Sequence, residues 1–107
     1  MLMKIKQIMW VLDVMEGNVH EAEKYAEKAH HMKGYCPETA EWCIEMAKRH
    51  LAFNEKGMSI LSRYHNELLA TVDGELAGAV NMAIHEKRGW INEETAEIHV
   101  MLDKYKA

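Results

Sequence analysis

The chain has 107 residues, 49% of them apolar, with one proline, six glycines and a formal net charge of −4, which fits a single folded domain and excludes disordered and fibrous classes. Acidic and basic residues are interleaved and no basic face gathers, which argues against a nucleic-acid partner. The stretch MLMKIKQIMWVLDVMEG is interrupted by charge and precedes no small-residue cleavage site, and the longest uncharged run is too short to span a bilayer, so neither a secretion signal nor a membrane partner is expected.

Strand signals are nearly absent, whereas helical periodicity is strong. At 100° per residue, Ile8, Leu12, Met15, Val19, Ala22, Ala26 and Ala29 share one stripe, which predicts a first helix over residues 3–33 with Gly17 as a place where it bends. Gly34 suits the C′ position and Pro37 the first turn of a following helix, so KGYCPE is a connection. Cys36 and Cys43, seven apart and without a Cys-x-x-Cys pattern, read as two reduced thiols of a cytoplasmic protein.

The second helix is expected over 37–69, with a main stripe of Ala40, Ile44, Ala47, Leu51, Met58, Leu61 and Leu68 and a kink or break at Gly57. Trp42, Met46, Phe53 and Ile60 form a separate apolar row on the same helix, so more than one neighbour should bury it. After TVDGE, Val72, Leu76, Val80, Ala83 and Ile84 predict a third helix over 72–88. Ile91, Ile98, Met101, Leu102 and Tyr105 predict a fourth segment over 91–105, interrupted from the third at Gly89 and N-capped by Asn92. The fold class is all-α: an antiparallel bundle of three long helices, or of four with the last broken near Gly89. If the last two segments are collinear, the second row is left bare and a homodimer through Trp42, Met46, Phe53 and Ile60 is expected. If they fold into a hairpin, they cover it within one chain.

Polar residues that intrude on apolar stripes carry the chemical information, because burying them without a partner is unfavourable. Glu16, Glu23 and His30 line one edge of the first stripe at seven-residue spacing, His50 falls between the two apolar rows of the second helix, and Glu86 and Glu97 border the later stripes. Carboxylates and an imidazole entering a bundle from several helices are the donor set used by di-iron and di-manganese sites, which makes Glu16, Glu23, His50, Glu86 and Glu97 the candidate metal ligands, for iron, manganese or zinc. The bland reading is that boundary glutamates are solvated or paired with lysine and that His50 is a hydrogen-bonded core residue. His20, His31, His65 and His99 read as surface or boundary residues. Neither Ser59 and Ser62 nor the cysteines show an activated nucleophile, and no catalytic residue is assigned.

The stretch EAEKYAEKAHHMKGYCPETAEW, together with AIHEK and AEIHVMLDKYK near the end, resembles a family of small phage and prophage proteins described as ferritin-like. That resemblance implies long antiparallel helices around a carboxylate-rich metal centre built from two Glu-x-x-His motifs. Here the motif occurs once, as Glu27-x-x-His30; three residues before His50 stands Ala47, and RGW at 88–90 is extra length. His30-His31-Met32-Lys33-Gly34 also resembles the His-x-Leu-Lys-Gly signature of histidine phosphotransfer domains, which implies an exposed, phosphorylatable His30. Three functions follow as expectations: a structural or interaction protein with an incomplete metal site, a metal-binding or oxidoreductase bundle, and a phosphotransfer domain.

Overall fold

The structure, a computed structural model, describes residues 2–71 and 74–106, with side chains described for 5–68 and 78–106. It contains three helices, α1 (Leu2–Met32), α2 (Pro37–Thr71) and α3 (Gly74–Lys106), and among the described residues no strand. They form a rod of 56 × 18 × 15 Å. α1 and α3 run parallel, since Asp13 meets Lys87 and His30 meets Met101. α2 runs antiparallel to α1, since Asn18 meets Asn54 and Tyr25 meets Trp42. The expected start of the third helix at residue 72 and the side chains of Val72 and Leu76 lie outside the described residues.

All seven residues of the first expected stripe are at most 1% exposed. On α2 the main stripe is likewise buried, except Met58, which is half-buried. Fully buried Ala22, Ala26, Ala29, Ala40 and Ala47 keep the α1/α2 seam narrow, so these two helices pack most extensively, while α2 and α3 touch least. Larger side chains, Ile84, Ile91, Ile98, Leu102 and Tyr105, hold α3 against the pair.

The connection after α1 is a tight turn in which the Met32 carbonyl accepts from the backbone N–H groups of Tyr35 and Cys36. Gly34 lies in this turn without the left-handed conformation expected of a C′ residue. Cys36 precedes Pro37 at the N-cap: its carbonyl accepts from the Ala40 N–H, and its Sγ lies 3.1 Å from Thr39 Oγ1.

The break expected at Gly89 does not occur, and α3 runs uninterrupted through it, so Asn92 is an exposed mid-helix residue rather than an N-cap. The reason is a continuous burial register: Ile84, Ile91, Ile98 and Tyr105, spaced seven apart, all lie in the core. Burying four such side chains outweighs the roughly 1 kcal/mol that one glycine costs a helix. Gly17 and Gly57 are also passed without a break. Gly57 has a packing role, because a Cβ there would stand 3.1 Å from both Cγ and Sδ of Met15.

Because α3 does not turn back as a hairpin, the second row of α2 stays largely uncovered among the described residues, with only Met46 half-buried. Trp42 is 53%, Phe53 58% and Ile60 41% exposed. Of the two expected alternatives, the collinear one is found and the covering hairpin is not.

Candidate functional site

The side of the bundle formed by α1 and α2, away from α3, carries the most unusual surface. Its floor is a polar relay. Oriented by its amide donors, His50 Nδ1 donates to Asn18 Oδ1 at 2.8 Å, Asn18 Nδ2 to Asn54 Oδ1 at 3.2 Å, and Asn54 Nδ2 to the Met15 carbonyl at 2.9 Å. Asn54 is buried, His50 and Asn18 half-buried. Among the described residues no buried side-chain nitrogen or oxygen lacks a partner, so the relay's hydrogen bonds offset the cost of placing polar side chains in an apolar seam.

Over this floor lies aromatic and aliphatic surface. Tyr25 stacks on His50 at 5.8 Å and meets Trp42 edge-on at 5.5 Å. Val14, Asn18, Met46, Arg49, His50 and Phe53 line a shallow groove of about 340 Å³. One turn before Val14 on the same side of α1, Trp10 is 67% exposed. The strip therefore runs from Trp42 to Ile60, about 27 Å along α2.

The five candidate metal ligands are distributed over both flanks of α1. His50 faces Asn18 and Tyr25 on the α2 side. Glu16 faces α3, where its Oε2 is 2.8 Å from Lys87 Nζ, and Asp13 Oδ1 is 3.2 Å from the same ammonium. The bonds from Glu16 and then Asp13 raise the Lys87 pKa. Glu86, exposed, lines a shallow depression with Glu16, Lys87 and Trp90. Glu23 and the exposed Glu97 both act on Glu94: desolvation first, then Glu97 and Glu23, raise its pKa, opposed by His20. The α1/α3 flank thus brings Glu16 near Glu86 and sets Glu23 and Glu97 around Glu94, with His50 apart from both. Among the described residues, no three His, Cys, Asp or Glu form a group that could hold a metal ion.

The paired histidines end α1. His30 Nε2 is 2.8 Å from the Met101 carbonyl, and Lys33 Nζ donates to the Tyr105 carbonyl at 2.6 Å while lying 4.7 Å from that residue's ring. Lys33 thereby satisfies a carbonyl at the end of α3, where the helix has no N–H to offer. His30 and Lys33 together clasp the end of α3. Glu27 is exposed.

Sequence reasoning missed three polar residues. Asn54 interrupts the α2 stripe between Leu51 and Met58, a visible signal, and Asn18 becomes meaningful only once Asn54 faces it. His65, expected as a surface or boundary residue, is 7% exposed and places Nε2 2.7 Å from Asn81 Oδ1. Its position four residues after Leu61 and three before Leu68 puts it on the core side.

No protein-family model matches this chain, and neither curated proteins nor solved structures give a significant match. No helix among the described residues is long and apolar enough to cross a membrane.

Proposed function

We propose that this chain is a structural or interaction protein, a long-helix bundle of ferritin-like type with an incomplete metal site, whose working surface is the apolar strip on the α1/α2 side. The observation that carries the reading is the exposure of Trp10, Trp42 and Phe53, each more than half accessible, along one continuous side of the molecule. Scattered apolar residues are ordinary on a protein surface, but a contiguous aromatic strip marks an association site. The antiparallel α1/α2 hairpin of long helices supports the ferritin-like kinship. Engagement of Glu16 with Lys87 and of His50 with Asn18 supports a site not assembled for metal.

A photoreactive benzophenone side chain at position 53, and separately at 42, tests this in the full chain as it is made in cells. The reading expects a discrete cross-linked adduct at both positions and none at exposed Asp103 on α3. Absence of any adduct at 42 and 53 overturns it.

A further inference from the structure

We infer that the partner of this strip is a second copy of the same chain, docked with its α2 antiparallel to the first. This rests on the reading of the strip as an association surface and adds the partner and its register. The order of charges beside the apolar row points to this partner. At 100° per residue, Glu38, Glu45, Arg49, Lys56, Arg63 and Glu67 fall within about 40° of one another, next to Trp42, Phe53 and Ile60. All six are exposed. Lys48 and Glu55 face the other way, into the groove between α2 and α3. On the outward flank the order along α2 is therefore two acids, Glu38 and Glu45, then three bases, Arg49, Lys56 and Arg63, and last the acid Glu67.

From Glu38 to Arg63 this order is complementary to its own reverse, and Glu67 lies beyond the stretch that a second α2 would face. A two-fold axis at the level of His50 and Leu51 sets Glu45 beside Lys56 of the second copy and Glu38 beside its Arg63. The same register brings Trp42 to Ile60 of the second copy and Arg49 over its Phe53 ring, an arrangement suited to a cation–π contact. A parallel pairing would set acid on acid and base on base, which disfavours it. The extent also fits. The uncovered parts of Trp10, Trp42 and Phe53 present on the order of 350 Å² per copy, a substantial aromatic centre for an interface of about 800 Å² per partner, with the charged row as its rim. The groove between α2 and α3 offers no comparable surface, because its floor residues Leu51, Ile91 and Leu102 are already buried.

Charge reversal in the full-length chain tests the register. Glu45 and Lys56 are eleven residues apart, about 16 Å along the helix, so they cannot pair within one chain, and the in-chain partner of Glu45 is Arg49 at 4.0 Å, an exposed pair of little strength. Glu45→Lys and Lys56→Glu should each weaken the dimer about tenfold at low salt, read by light scattering after size exclusion. The double variant, Glu45→Lys with Lys56→Glu, should regain most of the loss. Circular dichroism melts of every variant separate loss of pairing from loss of folding. A dimer in which the double variant is no better than the single ones overturns the antiparallel register. A monomer at high micromolar concentration overturns the self-pairing itself. In that case, a cross-link at position 53 to a species other than a second copy leaves the association reading standing, whereas no cross-link removes both.

Discussion

Asn54 reaches across the α1/α2 seam and donates its side-chain amide to the Met15 carbonyl at 2.9 Å, while its own oxygen accepts from Asn18. In a seam lined mostly by apolar side chains, this pair pins one longitudinal register of the hairpin, because sliding α2 by a turn would leave buried amides unpaired. Asn54→Ala should cost about 1–3 kcal/mol of stability in urea unfolding, and Asn18→Ala, half-buried, less. The double variant should lose less than the sum of the two, since the second substitution removes a bond already broken. Strict additivity would contradict the contact.

Two glycines on buried-register helices should respond in opposite ways. Around Gly89 a Cβ meets nothing within 4 Å, so Gly89→Ala should raise stability by up to about 1 kcal/mol through helix propensity. Gly57 lies against Met15, and Gly57→Leu should lower stability by about 1–3 kcal/mol through overpacking. Thermal melts distinguish them. Destabilisation by Gly89→Ala would mean that α3 is broken there.

Those glycines also show what the sequence could and could not reveal. The stripe from Ile8 to Ala29 repeats at helical spacing and was legible, since burial of a helix face leaves its period in the chain. Continuity through Gly89 was harder to read, because local propensity favours a stop and only the seven-residue spacing of Ile84, Ile91 and Ile98 argues against one. The relay was hidden for a different reason: Asn18, His50 and Asn54 come together only when α1 and α2 are aligned. The candidate metal ligands share helix edges on paper, yet α1 presents Glu16 to α3 while His50 approaches from α2. Edges read helix by helix do not say which neighbour each one faces.

Glu94 gives a pH signature. Desolvation and the nearby Glu97 and Glu23 raise its carboxyl pKa above the ordinary value of 4.5 in the folded chain. The folded state thus holds this proton more tightly than the unfolded state, so the associated stability is present below 4.5 and is lost as pH rises through the raised value. At neutral pH the charged Glu94 opposes folding. Glu94→Gln should raise the melting temperature at pH 7 and leave it unchanged at pH 3, and an equal shift at both would contradict this origin.

The two thiols should differ in reactivity. Cys36 is half-buried, and the hydroxyl and then the backbone N–H of Thr39 lower its pKa from 9.0. Cys43 is fully buried in the core. Iodoacetamide at pH 8 should modify Cys36 well before Cys43, followed by peptide mass spectrometry, with Cys43 reacting only when the chain unfolds. Equal rates in the folded protein would contradict the packing of α2 around Cys43.

The central claim is that the row of Trp42, Met46, Phe53 and Ile60 lies between two copies of the chain. Sedimentation equilibrium measures it most directly. The account predicts twice the chain mass of 12.4 kDa for the natural sequence and the single-chain mass for Phe53→Glu, which places a charge in the middle of the row while leaving the exposed monomer fold intact. A single-chain mass for the natural sequence at high micromolar concentration would contradict it.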